Sequence, residues 1–295
     1  THDPSIIKFK GMYYLFATHD NISITTAPSL EGPWTRVGQV LEKGSKIDSR
    51  NRFDPWAPDV HEIDGTFYLY YAVSTFGSRH SSVGLATSRS LAPGTWTDHG
   101  AVITTGVPTN NPALRDSNAI DPNLFYDQST GLATLQFGSF YSDIWQVPLE
   151  SDFMTPSNGG ILAFDPTFPS PIEGAFLHRA ANGFYYLFVS HGICCGFGTV
   201  IPPAGQEYRI QVTRSQSRDG PFVDKDGLSA LHGGGEIIYA SHDFVYAPGG
   251  QGVLTEEDGS EKLYYHYVDT RAGFSDFKLL GYNDLIYVDG WPVVV

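Results

Sequence analysis

Three acids stand where short apolar runs begin: Asp3 in His2-Asp3-Pro4-Ser5-Ile6-Ile7, Asp121 in Ser117-Asn118-Ala119-Ile120-Asp121-Pro122-Asn123, and Glu173 in Ile172-Glu173-Gly174-Ala175-Phe176. Taken singly, Asp-Pro marks a turn, and Asp54-Pro55 and Asp165-Pro166 are read as no more than that. Glu173 reads differently, at the Asp position of the motif but before glycine. Three carboxyls converging on one pocket would repel one another and shift their pKa values, a poor arrangement for a fold. It is a good one for cleaving a glycosidic bond. A protonated carboxyl donates to the leaving oxygen, an ionised one handles water or the sugar carbon, and a third holds the donor's proton in place.

Convergence requires a scaffold, and the sequence repeats itself. Besides the three acid segments, Trp56-Ala57-Pro58-Asp59-Val60-His61 and the more degenerate Ser241-His242-Asp243-Phe244-Val245-Tyr246 read as further lead-ins. An aromatic strand follows each one, for example Met12–Ala17, Phe67–Tyr71, Phe184–Val189 and Leu263–Tyr267, then a shorter strand. Gly/Pro-aromatic corners such as Gly32-Pro33-Trp34 come next. Five copies at a period of roughly 50 to 70 residues, each with about four strands, predict an all-β, five-bladed β-propeller. Its four-stranded antiparallel blades surround a central channel, and residues 1–295 form one domain. A β-sandwich would show two sheets and no repeat. In a propeller the first strand of each blade lines the channel, so the acids would meet at one mouth.

Composition agrees with a β-rich chain: 17 Tyr, 19 Phe, 32 Gly and 19 Pro in 295 residues. The formal charge of −14 disfavours nucleic acid and anionic membrane surfaces, which need a basic footprint. No apolar run is long enough to span a bilayer. Asn21-Ile22-Ser23 is a glycosylation sequon. The two cysteines, Cys194-Cys195, are adjacent, which excludes a disulfide framework and a zinc site made of thiols alone. They read either as two thiols or as a disulfide between neighbours.

The segments quoted above, with Phe53-Asp54-Pro55-Trp56-Ala57-Pro58-Asp59-Val60 and Tyr264-Tyr265-His266-Tyr267-Val268-Asp269, resemble glycoside hydrolase family 43, and within it the arabinanase branch. The resemblance spans the chain. It implies hydrolysis of α-1,5-L-arabinofuranosidic bonds in arabinan with inversion. Asp3 would be the general base, Glu173 the general acid, and Asp121 the residue that tunes and orients Glu173. Inversion would set the Asp3 and Glu173 carboxyls roughly 6.5 to 9.5 Å apart.

The resemblance also implies that His266 meets a central calcium or sodium ion, largely through waters, and that Trp56 and Phe76 line the cleft. Asn118 and Phe140 are further candidates for sugar contact. Two departures from the bacterial pattern bear on cleft length: the stretch from Cys194-Cys195 through Gly205, and Tyr246–Gly252 where the family usually carries a histidine. The expectation is a secreted, monomeric, endo-acting enzyme on arabinan or arabino-oligosaccharides. An exo-acting arabinofuranosidase or β-xylosidase is the alternative, and those relatives often carry an added β-sandwich domain that this chain does not reach. A non-catalytic sugar-binding propeller would need no set of three acids.

Overall fold

The computed structural model describes residues 1–109 and 111–295. Blade 1 comprises β1 (Ser5–Phe9), β2 (Met12–Ala17), β3 (Ser23–Ala27) and β4 (Thr35–Gln39). Blade 2 is β5 (Trp56–Ile63), β6 (Thr66–Val73), β7 (Ser82–Ser88) and β8 (Thr97–Thr104). Blade 3 is β9 (Asn123–Asp127), β10 (Leu132–Phe137), β11 (Ile144–Leu149) and β12 (Gly160–Ala163). Blade 4 is β13 (Ile172–Arg179), β14 (Tyr185–His191), β15 (Arg209–Ser215) and β16 (Glu236–Tyr239). Blade 5 is β17 (Val245–Thr255), β18 (Glu261–Asp269), β19 (Leu279–Val288) and β20 (Trp291–Val294). Each is a four-stranded antiparallel meander in chain order, and the first strands pack successively around the ring, with β17 against β1. The expected five-bladed propeller is what forms. Among the described residues no helix is long and apolar enough to cross a membrane.

Aromatic and aliphatic residues run nearly unbroken along middle strands such as β2 and β6 because each sheet is buried on both faces. The core is accordingly divided into wedges between blades. Phe16 and Ile24 meet Leu69 and Tyr71 between blades 1 and 2, while Leu85 and Ile103 meet Leu124 and Leu135 between blades 2 and 3. Ile144 meets Leu187 between blades 3 and 4, and Phe188 meets Leu263 between blades 4 and 5. Ile6 and Leu15 meet Leu254 and Tyr264 where blade 5 returns to blade 1. Among the described residues no sheet contains strands from both ends of the chain, so the ring closes by side-chain packing and by single bonds such as Thr1 N to Lys278 O (2.7 Å), without a shared strand.

Two expectations about the repeat need correction. In each blade the residue that turns the chain into the channel has left-handed backbone: Asp3, Ala57, Asp121, Gly174 and Ala247, with φ of 45°, 45°, 53°, 60° and 51°. Strand pairing slips just there, between Trp56 and Asp59, Glu173 and Phe176, and Tyr246 and Gly249. Glu173 therefore does not occupy the position of Asp3 and Asp121. Gly174 does, and Glu173 matches Trp56 and Ile120, one residue earlier. The fifth lead-in is likewise Tyr246-Ala247-Pro248-Gly249, and not Ser241–Tyr246. Proline after the left-handed residue marks this position in four blades, but blade 4 has Ala175, and glycine carries the turn there at little steric cost.

A second repeat joins the blades. The backbone N–H three residues after the left-handed position is bonded by the preceding blade in all five cases. Val60 N donates to Ser5 Oγ (3.1 Å), Leu124 N to Asp59 Oδ2 (2.6 Å) and Leu177 N to Asn123 Oδ1 (2.8 Å). Gly250 N donates to Ser190 Oγ (2.9 Å), and Ile6 N to the Tyr264 hydroxyl.

Candidate active site

The one-residue offset decides where each acid points. Asp3 and Asp121, on the left-handed positions, line the channel with Asp59, Gly174, Tyr208 and Gln251. Glu173, like Trp56 and Ile120, lines the adjoining cleft, a space of about 1300 Å³ crossed by loops of blades 2, 3 and 4. The two sets touch where Gly174 N donates to Asp121 Oδ2 at 3.2 Å. The channel mouth and the cleft are thus one site, bridged by the Glu173-Gly174 peptide.

Glu173 is 8% exposed, and both its oxygens accept hydroxyls: Oε2 from Ser139 Oγ at 2.6 Å, and Oε1 from the buried Tyr208. Burial pushes its carboxyl up, the two hydroxyl donors pull it down, and the negative charge of Asp3 pushes it up again. Asp121 is raised well above the carboxylate range, first by burial and then by the charges of Glu173 and Asp3, against one opposing bond from Gly174 N. Like charges this close cannot all ionise together, so the pair retains a proton at pH values where an isolated carboxyl has lost it. Asp3 is held by Thr18 Oγ1, which donates to Oδ2 at 2.8 Å, and Thr18 itself accepts from Ala57 N at 2.8 Å.

His266 is fully buried beneath Asp3 and accepts the Asp3 N–H at Nδ1 (3.1 Å). Burial pushes its pKa well down, so the ring is neutral and Nε2 carries the proton. Among the described residues that Nε2 is buried with no protein partner. His2, Asp3 and His266 place one donor atom each within 4.8 Å of one another. Tyr208 stacks on His266 (centroids 6.0 Å, 10° between planes), linking the imidazole under Asp3 to the oxygen of Glu173.

All four expected sugar contacts line the cleft: Trp56, Phe76, Asn118 and Phe140. Phe76 is 81% exposed, an aromatic with no core to fill. Asn118 Oδ1 is taken by Ser81 Oγ (2.7 Å), which leaves its amide nitrogen as the spare donor. Sequence reasoning missed Ser139, Tyr208, Tyr141 and Phe168. Phe168 is 94% exposed on the cleft rim, and an exposed aromatic beside a buried acid is the signal that only the fold supplies. Asp165, read as a turn, is 7% exposed, holds His191 Nε2 at 3.0 Å and donates its N–H to Asp143. Cys194 and Cys195 form a disulfide and line the same cleft as Glu173.

Residues 1–292 match the family described as Glycosyl hydrolases family 43. The chain belongs to that family. Members cleave glycosidic bonds, and this chain is a glycoside hydrolase. Its similarity to arabinan endo-1,5-alpha-L-arabinosidase A of Aspergillus niger is 46% identity, over 100% of this chain and 90% of that protein. Among solved structures, an exo-1,5-alpha-L-arabinanase from a bovine ruminal metagenomic library superposes with a TM-score of 0.88 at 32% identity, covering 100% of this chain and 96% of the other. A Cellvibrio cellulosa alpha-L-arabinanase complexed with arabinohexaose gives 0.86 at 27% identity, covering 100% and 95%.

Proposed function

We propose that this family 43 hydrolase cleaves α-1,5-L-arabinofuranosidic bonds within arabinan, with inversion. The observation that carries the reading is the meeting of Asp3, Asp121 and Glu173 at the junction of channel and cleft. The cleft crosses three blades and supports internal cleavage, since a chain can lie along it. Names of relatives supply the sugar: arabinan for the Aspergillus niger protein and arabinohexaose for the Cellvibrio complex.

In this mechanism Glu173 donates its proton to the departing sugar oxygen. Asp3, aligned by Thr18, takes a proton from the attacking water. Asp121 acts through Glu173, because its charge makes a second ionisation on the pair costly. Ser139 and Tyr208 fix the carboxyl of Glu173 and stabilise the anion left after transfer. General acid–base proton transfer of the kind assigned to Glu173 and Asp3 contributes about 10²- to 10⁴-fold.

A hydrated calcium or sodium ion in the channel suits the donors there: the Asp3 carboxylate and His2, with water filling the remaining positions. His266 would stand beside that ion, with its Nε2 buried and without a partner among the described residues. The chemistry such an ion supplies is electrostatic support of the Asp3 carboxylate. The enzyme is a secreted monomer in this reading. The oxidised cysteine pair and a polymeric substrate support an extracellular setting.

Product analysis on linear arabinan tests the mode. Mixed oligomers at early times are expected, and a single small product from the first minutes would replace endo by exo action.

A further inference from the structure

We infer that the Cys194–Cys195 disulfide is a sugar-contacting surface of the cleft, on the blade 4 side of Glu173. The inference rests on the glycosidase reading above and extends it to a residue pair with no assigned role.

The bond does none of the work of an ordinary structural disulfide. It joins neighbours one position apart, so it closes no loop and removes little freedom from the unfolded chain. The segment carrying it is held by other means. Ile193 N donates to Gln206 O (2.8 Å) and Tyr208 N to Ile193 O (3.0 Å) at its base. Lys278 Nζ donates to Cys194 O (2.5 Å), and Gly196 N and Phe197 N both donate to Asp276 Oδ1 (2.7 and 3.1 Å). Phe197 is buried against Tyr208, Ala247 and Val268. A loop already fixed at this many points does not need an adjacent disulfide to fix it.

What the bond does change is the surface offered to the cleft. Both cysteines are half-buried, and with Ile193 and Phe168 they form the apolar wall at the blade 4 side, while Phe76 and Trp56 line the blade 2 side. Two linked sulfurs present one polarizable patch without an S–H donor, whereas two free thiols present separate rotors and weak donors. The C–H face of a furanose is a matching partner for the linked form. Tyr208, which ends this loop, also donates to Glu173, so the surface and the acid sit on one rigid segment.

The test compares the oxidised enzyme, the phosphine-reduced and alkylated enzyme, and a Cys194→Ala/Cys195→Ala double variant on linear arabino-oligosaccharides. In the reduction the S–S bond breaks, the two sulfurs gain two electrons from phosphorus and two protons from water, and the oxygen of water ends in the phosphine oxide. The expected result is a KM raised about tenfold in both altered forms, with kcat within twofold and an unchanged melting temperature, the scale of one lost apolar contact in a pocket. Unchanged KM at every chain length overturns the proposal. So does a lowered melting temperature with unchanged KM, which makes the pair a brace of the loop. If the oxidised enzyme cleaves no arabinan, the function proposed above fails, and this inference fails with it.

Discussion

Asp59 at the start of blade 2 and Glu173 at the start of blade 4 are both buried carboxylates on innermost strands, 5% and 8% exposed. Their surroundings are opposite. Asp59 Oδ2 accepts Leu124 N at 2.6 Å and His61 Nε2 at 2.7 Å, with Asn123 Nδ2 at 3.4 Å. Backbone and imidazole donors satisfy it, and it serves as one of the five inter-blade bonds. Glu173 accepts only rotatable hydroxyls and faces two other acids. With the role proposed for Glu173, the difference teaches that burial alone does not mark a working acid in this fold. The donors do: fixed N–H groups make a carboxylate a fastener, while hydroxyls and like charges leave it able to trade a proton.

The comparison breaks most cleanly by exchanging losses. Glu173→Ala is expected to lower kcat on arabinan about 10³-fold or more while oligosaccharide binding by titration calorimetry persists. Asp59→Ala is expected to keep kcat within a few-fold at low temperature. It strands Leu124 N and unpairs His61, so stability should fall by about 3 kcal/mol, read as a melting temperature lower by roughly 6 °C. If Asp59→Ala instead abolished turnover in a folded protein, the division between the two acids would not hold.

The pair Asp121→Asn and Tyr208→Phe sharpens the claim for Glu173, because the two should move the pH profile in opposite directions. Removing the charge of Asp121 eases ionisation of Glu173, so the basic limb of kcat/KM moves to lower pH, with kcat down about 10²-fold. Removing the Tyr208 hydroxyl withdraws a donor from the carboxylate, so the basic limb moves to higher pH, with kcat down about tenfold from poorer alignment. A shift of both limbs in the same direction would dissolve the assignment of Glu173 as the titrating acid.

The smallest effect belongs to a third buried carboxylate. Asp143 is fully buried, accepts Asp165 N at Oδ2, and has no partner at Oδ1 among the described residues. Burial raises its pKa to about 7. A carboxyl raised on folding contributes stability that is present below its unfolded pKa, near 4, and is lost as pH rises to about 7. Between pH 4 and 8 the melting temperature should therefore fall by several degrees more in the parent protein than in Asp143→Asn. Parallel curves would mean that Asp143 ionises no differently in the two states.

Much of the architecture was legible because it repeats. Five aromatic strands behind five lead-ins specify blades, and the acids of motifs that start strands meet at a propeller's mouth. The offset of Glu173 was not legible, since blade 4 replaces the marking proline with Ala175 and only the backbone shows which residue is left-handed. Tyr208 could not be found either. It lies 35 residues from Glu173, behind an insertion, and an aromatic at the head of a strand looks like core. The same holds for Asp165, whose Asp-Pro dipeptide hides a hydrogen bond to the half-buried His191.

Ring closure without a shared strand has a consequence for how the enzyme fails. The junction of blades 5 and 1 is spanned by the Ile6–Tyr264 bond, by Glu256 with Lys8 and Tyr13, and by the Asp3 N–H on His266. Asp3 sits on one bank of that seam and His266 on the other. A gap opening there would displace Asp3, the proposed base, before any strand unravels. Turnover is then a strain gauge for the ring, and in rising denaturant it should vanish while the β-sheet signal is still intact.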